Sequence, residues 1–325
     1  MQESYHADLR LKQSIIAALF FATGASAQDY PNKTVRIVVP FPPGGATDVV
    51  TRIVAQKLTD QFGRQVVTEN RGGAGGIVGS EAVAKAAPDG YTLVMGTTGT
   101  HAINASLYPK LSYDPLRDFA PVTRTALLPN LIVAHPSVPA RNIRELVALA
   151  RKNPGQLTYA SSGSALYLSG ALFTSMAGIE MIHVPYKGGG QAMPALLGGE
   201  VALSFATVVS SLPHVKAGKL RGLAVTSAIR TPAAPEFPTV AESGLRGYEA
   251  VAWYGVLAPA GTPREVIMRL DREIVHALKL PDVQQLLLAQ GAEPVSDTPE
   301  EFAAIIKRDI AKWGEVVRKS GAKAD

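Results

Sequence analysis

From Thr34 onward, short β-branched runs alternate with helical patterns: TVRIVV, DVVTRIVAQKLTDQF, QVVTEN, GIVGSEAVAKAA and YTLVMGT. A strand–helix–strand–helix–strand series buries its apolar faces when the strands lie side by side in a parallel sheet, with the helices crossing over it in the right-handed sense. In the first helical run Val49, Val50, Ile53, Val54 and Leu58 fall mainly on one face, with Arg52, Gln56 and Asp60 elsewhere.

A second series of the same kind begins after LIVAHPSVP and runs through NIRELVALARKNP, LTYASS, LYLSGALFTSMAG, MIHVPY, AMPALLGG, VALSFAT and LRGLAVTS. It predicts a second lobe. The proline-rich TPAAPEFP then demands an extended connection. One more strand-like run, AVAWYGVLAPAG, and three helical patterns follow. They lack strands of their own to cover, so the simplest path returns them to the first lobe. The expected fold is α/β with two lobes, each a mostly parallel sheet wrapped by helices. Residues 28–127 would form the first part of lobe 1, 128–227 lobe 2, and 228–325 the hinge return and the rest of lobe 1. The crossings are expected near Pro121 to Ala134 and Leu223 to Val256, with a ligand cleft between the lobes.

At 325 residues, with 46% hydrophobic and 18% charged residues, the chain has material for two real cores and no compositional sign of disorder. Residues 1–27 differ in character. Arg10 and Lys12 precede the apolar run SIIAALFFA, and Ala25-Ser26-Ala27 stands before Gln28, the pattern of a cleaved secretory leader. The run is shorter than the roughly 20 residues that cross a bilayer. With no cysteine there is neither a disulfide nor a lipid anchor, so a periplasmic location is expected. The net charge of +5 favours anionic ligands weakly. Without a dense basic stripe, nucleic acid is not an expected partner.

In PFPPGGATD the prolines end a strand, Gly44 and Gly45 free the backbone, and Thr47 or Asp48 suits the N-cap of the next helix. Such a helix mouth exposes unpaired N–H groups and the positive end of the dipole, which bind carboxylate or phosphate. The alternative is a tight strand–helix turn that touches no ligand. Asp48, itself an anion, is expected to support the loop and not to contact a ligand. In NRGGAGGIVG, Gly73 and Gly75 begin a dinucleotide fingerprint, but Val78 stands where the third glycine belongs. That segment is either a second helix entry on the cleft or a close-packed turn. In the second half, Ser161, Ser162, Gly163 and Ser164 precede an apolar helix, and Lys187 precedes Gly188 and Gly189.

Catalytic patterns are missing. No serine sits in a G-x-S-x-G elbow, no phosphate-binding Walker sequence occurs, and the histidines are scattered singly. An enzyme is therefore not expected, nor is a cofactor or a metal.

Taken together, YPNKTVRIVVPFPPGGATD, ENRGGAGGIVG, AAPDGYTLVMGT, VPYKGGGQAMPALLGGEV, AGKLRGLAVTS, FPTVAESGL and WYGVLAPAGTPREVI resemble the substrate-binding proteins of tripartite tricarboxylate transporters, the Bug or TctC type. The resemblance covers nearly all of the chain after the leader. It implies a periplasmic receptor of the type II binding-protein fold that holds a small carboxylate between its lobes and hands it to membrane transporter subunits, acting as a monomer. Motif matching carries ligand contact to Phe41, Pro43, Gly44, Gly45 and Thr47, and to Thr97 and Thr98. In the second lobe it carries contact to Ser161, Ser162, Gly163, Ser164, Lys187, Gly188, Gly189 and Phe205. The family's V-D-x-x-F-D strand reads VALSFAT here, with Ala202 and Ala206 at the acidic positions. If Ala206 faces the cleft, a partner for a ligand ammonium is lost, which favours a carboxylate without an amino group. Two rivals remain at this stage: a receptor that reports to a membrane sensor kinase, and an NAD-dependent oxidoreductase.

Overall fold

Strand β1 (Val35–Val39), apolar except at Arg36, lies between β2 (Val66–Asn70) and β3 (Thr92–Thr97), both parallel to it. The computed structural model of the protein describes residues 30–161, 163–186 and 189–322, so the expected leader lies outside the described residues. Helix α1 (Ala46–Phe62) joins β1 to β2 and buries Val50, Val54 and Leu58, spaced four apart so that they stack on one face. Helix α2 (Ile77–Ala84) precedes β3. A π-helical turn, Gly99–Ile103, and α3 (Asn104–Leu107) follow it.

β4 (Phe119–Leu128) then leads through Pro129 into β5 (Asn130–Ala134), the first strand of a second sheet. That sheet is completed by β6 (Thr158–Ser161), β7 (Ile182–Pro185), β8 (Leu203–Thr207) and β9 (Arg221–Val225), in the order β7-β6-β8-β5-β9. Its connecting helices are α4 (Ile143–Lys152), α5 (Ser164–Ala177), α6 (Gly189–Leu197) and α7 (Val208–Lys216). The chain returns through residues 226–251 to β10 (Ala252–Pro259). It ends with α8 (Arg264–Lys279), α9 (Pro281–Ala289), β11 (Glu293–Pro294) and α10 (Pro299–Ser320). The first sheet has the order β11-β4-β10-β3-β1-β2.

The expectation of mostly parallel sheets holds for β2-β1-β3 and β7-β6-β8, whereas β10 runs against β3 and β4, and β5 against β8 and β9. The cause is the double crossing. β4 leaves the first sheet on the side where β10 enters it, and β5 enters the second where β9 leaves, so each such pair must be antiparallel. The first crossing is shorter than expected, because residues on both sides of Pro129 belong to strands. Asn130 and Thr226 knit the two crossings together: the Thr226 N–H donates to Asn130 O at 2.9 Å, and the Asn130 N–H to Thr226 Oγ1 at 3.0 Å.

The last helices do return to the first sheet, with a two-residue strand, β11, that the sequence did not suggest. α8 buries Val266, Ile267, Leu270, Ile274 and Ala277, a stripe at helical spacing. α10 opens on a capping box between Thr298 and Glu301. The apolar interior continues from one lobe into the other. Tyr248, on the return crossing, packs edge-on against Phe173 of α5 and donates its hydroxyl to Ser169 O at 3.0 Å. No described helix is long and apolar enough to cross a membrane.

Candidate ligand-binding cleft

From β1 the chain steps to β2 and then returns past β1 to β3, so the sheet order reverses beside β1 and opens a crevice at the carboxyl ends of its strands. β6 occupies the same position between β7 and β8. The loops after β1, β3 and β6 hold most of the residues singled out above.

After β1, residues 42–46 are exposed and Phe41 is half-buried. Gly44 has φ +85°, a backbone region that side chains with a Cβ seldom enter, which explains the glycine. The N-cap of α1 is Gly45, in an extended conformation and without a side-chain cap, so the expectation that Thr47 or Asp48 caps the helix is corrected. Both lie inside its first turn. There Asp48 is buried and reaches back: Oδ2 accepts the Gly44 N–H at 2.9 Å and Arg52 Nε at 3.0 Å, while Oδ1 accepts Asn70 Nδ2 at 2.9 Å. Asn70 also donates to Phe41 O. Burial pushes the Asp48 carboxyl up, but the hydrogen bonds from Arg52, Gly44 and Asn70 outweigh it and hold the pKa below the ordinary value. Asp48 thus organises the loop with its charge balanced by Arg52, and the Gly44 N–H is spent on it. The first helical bond runs from the Val49 N–H to Gly45 O, so the N–H groups of Ala46, Thr47 and Asp48 precede the helical ladder. Thr47 is buried, with its hydroxyl near the Tyr254 phenol.

The glycines of residues 72–79 serve close packing. A Cβ on Gly79 would fall 2.7 Å from Arg71 O and 2.8 Å from Pro40 Cα, so this segment is the bed on which the β1 loop lies.

After β3, Thr97 and Thr100 exchange hydrogen bonds, N–H to Oγ1, at 3.0 and 3.1 Å. The Thr98 hydroxyl accepts the Trp253 N–H at 2.8 Å. Expected as ligand contacts, both threonines are buried, and their hydroxyls brace the entry to the π-helical turn. A Cβ on Gly99, the first residue of that turn, would lie 3.8 Å from Ser164 Oγ, so the two lobes meet here. In the second lobe Gly163 is the N-cap of α5, again without a side-chain cap, and Ser164 is the first helical residue. Gly189 opens α6. Ser162, Lys187 and Gly188 lie outside the described residues. Ser161 Oγ is 2.7 Å from His183 Nε2.

Phe205 is corrected as a contact residue. It is 1% exposed, with its ring edge-on to Tyr159 and Phe173 in the core, because alternation along β8 turns it under the sheet. Ala206 is also buried, in the cluster with Leu131 and Val208, so its lack of an acid says nothing about a ligand ammonium. Sequence reasoning passed over Asn70, Arg52 and His183. Asn70 was within reach, since parallel pairing sets it opposite Val39, at the start of the glycine loop.

Comparison with known proteins agrees with this architecture. Residues 50–322 match the model of the tripartite tricarboxylate transporter family receptor. Protein BugT of Bordetella pertussis is 39% identical over 311 residues, 95% of each chain. Rpa4515 of R. palustris, solved with adipate, is 38% identical with a TM-score of 0.78 and covers 90% of this chain and 99% of its own. MatC from Rhodopseudomonas palustris, with bound malate, is 34% identical with a TM-score of 0.75, over 89% and 100% of the two chains. With two α/β sheets wrapped by helices and a match over most of its length, the chain belongs to the tripartite tricarboxylate transporter receptor family, whose members are solute-binding receptors and not enzymes.

Proposed function

We propose that this chain is exported through a cleaved leader, residues 1–27, and works in the periplasm as a monomeric receptor for a small carboxylate. One lobe comprises 28–127 and 228–325, the other 128–227, and the anion sits between them. The N–H groups at the start of α1, those at the π-helical turn and those at the start of α5 would receive it. Phe41, Pro43, Gly45, Ser161, Gly163, Ser164 and Gly189 line the same groove in this reading, and the sequence motif alone assigns ligand contact to Ser162, Lys187 and Gly188.

The observation that carries the proposal is the meeting of Gly99 and Ser164 across the lobes, 3.8 Å from a would-be Cβ to Oγ. It brings two helix entries to one place, and a helix entry favours negative charge through its unpaired amides and its dipole. The adipate and malate held by the two similar structures support a ligand without an ammonium group. Closure of the lobes on the anion follows only from contacts that the ligand makes better in the closed form. The closed receptor then delivers it to membrane components of the tripartite tricarboxylate type.

A thermal-shift screen of the mature protein against mono-, di- and tricarboxylates, amino acids and aromatic acids tests the ligand class. Binding raises the melting temperature by an amount set by concentration over Kd. Shifts with carboxylates alone are expected. Protection by cations or neutral sugars and none by acids would end the proposal. Loss of uptake of the identified acid on deletion of the gene tests the delivery step.

A further inference from the structure

Ser161 ends β6, and His183 stands on β7 directly opposite Tyr159 in the parallel register. Side chains two apart share a face of a strand, so Tyr159, Ser161 and His183 lie on the face covered by α5. The imidazole is clamped there. It stacks on Tyr167 of α5, with ring centroids 4.0 Å apart and planes inclined by 21°, and it lies 5.2 Å from Tyr159. Its Nε2 is 2.7 Å from Ser161 Oγ. Ser161 is 3% exposed and stands two residues before Gly163, the N-cap of α5.

A serine hydroxyl has one proton to give. When Nε2 is an acceptor, that proton is spent on the ring and only lone pairs remain to face an anion. When Nε2 carries a hydrogen, Oγ accepts it and the hydroxyl proton is free to donate elsewhere. We propose that His183 is a positioning residue for ligand capture: its Nε2–H holds Ser161 Oγ as an acceptor and so turns the Ser161 hydroxyl into a donor for the bound carboxylate. The proposal rests on the carboxylate reading above.

A consequence is pH-dependent capture. Imidazolium has hydrogens on both nitrogens, so protonation leaves only the productive arrangement and adds positive charge beside the anion. Histidine is the side chain whose charge changes in the physiological range, so affinity should tighten as pH falls from about 8 to about 6. Among the described residues, Tyr159 on β6 and Tyr167 on α5 are titratable groups that face the ring. Phenols as a class titrate near pH 10 and do not share this window.

Calorimetric titration of the mature chain with adipate and with malate, between about pH 6 and pH 8, reads the effect directly. For the wild type, Kd should rise about tenfold across that interval, the scale of one charge-assisted hydrogen bond. His183→Phe keeps a flat ring on Tyr167 but has no donor; it should lose about tenfold at the lower pH and show no slope. His183→Gln offers an N–H that does not titrate and should restore most of the affinity, again without slope. Ser161→Ala should reduce the slope to what the imidazolium charge alone contributes, and adding His183→Phe to it should remove only that remainder, less than His183→Phe costs in the wild type. A His183→Phe or His183→Gln protein with the wild-type Kd and the wild-type slope overturns the positioning role and leaves the carboxylate reading intact. A wild type that binds none of the acids in the screen sinks both.

Discussion

Asp48 Oδ2 holds the Gly44 N–H at 2.9 Å from one turn inside α1, so the helix shapes the loop that leads into it. The same carboxylate binds Arg52 and Asn70, and Asn70 in turn fixes Phe41 O. A buried anion next to a proposed anion site is tolerable because its lone pairs and its charge are already engaged.

Replacing Asp48 by Ala should therefore weaken carboxylate binding about tenfold or more, although Asp48 touches no ligand in this reading. It removes the acceptor of the Gly44 N–H and one of the two acceptors of the Asn70 amide, at about 1–3 kcal/mol. Asp48→Asn, which keeps a carbonyl oxygen, should recover part of both losses. Urea unfolding and calorimetric titration on the same samples check this. Equal affinity in Asp48→Ala and the wild type would sink the loop-shaping role.

The two loop glycines should behave differently. Gly44 has φ +85°, so Gly44→Ala forces a strained backbone and should cost about 1–2 kcal/mol, with loss of binding. Gly45 has φ −79°, and a Cβ there meets only Pro42 O, at 4.0 Å. Gly45→Ala should fold with nearly wild-type stability, and its effect should appear in ligand affinity. Melting temperatures with and without the identified acid separate the two effects.

Much of the architecture was legible because local chemistry dictates it. The β-branched runs became β1, β2 and β3, and the α1 stripe of Val50, Val54 and Leu58 faces inward as its spacing requires. The antiparallel partners were not legible. They follow from where the chain crosses between lobes at Pro129 and after Val225, a decision made by long-range topology. The same limit applies to the site. Glycine-rich helix entries can be read from a few consecutive residues, but the burial of Phe205 and Thr98 depends on Tyr159, Phe173 and Trp253, each far away along the chain. The supporting role of Asp48 in the loop was legible on charge grounds alone, whereas its grip on Asn70 needed the β1–β2 register.

A second network holds the last helix to the first sheet. Arg124 on β4 and Asp297 form a two-pronged, largely buried ion pair, with Arg124 Nη2 2.8 Å from Asp297 Oδ1. Thr123 Oγ1 donates to Asp297 O at 2.8 Å beside it. Arg124→Ala abandons a buried carboxylate and should cost about 3–5 kcal/mol. Replacing both partners with apolar residues of similar volume should cost much less. Urea midpoints for the single and double variants decide whether the pair or the stranded charge dominates.

A buried histidine and a half-buried carboxyl should make stability respond to acid in opposite directions. His101 is fully buried, its Nδ1 2.8 Å from Thr100 Oγ1, and burial drives its pKa from 6.5 down to about 3. Because the unfolded chain takes up this proton first, the stability is present above about pH 6.5 and drains away as pH falls towards 3. Asp271 on α8 is pushed up to about 6 by burial, then by Glu300 and Asp297. Here the folded chain takes up the proton first, so stability rises as pH falls through 6 towards the ordinary carboxylate range. Between about pH 4.5 and 6 the two slopes oppose, each at most about 1.4 kcal/mol per pH unit. His101→Phe should lose some stability at neutral pH, with the Thr100 bond gone, yet gain stability on mild acidification. Asp271→Asn should lose stability on acidification more steeply than the wild type. Urea midpoints at half-unit pH steps measure both slopes, and parallel curves for the three proteins would show that neither group governs the acid response.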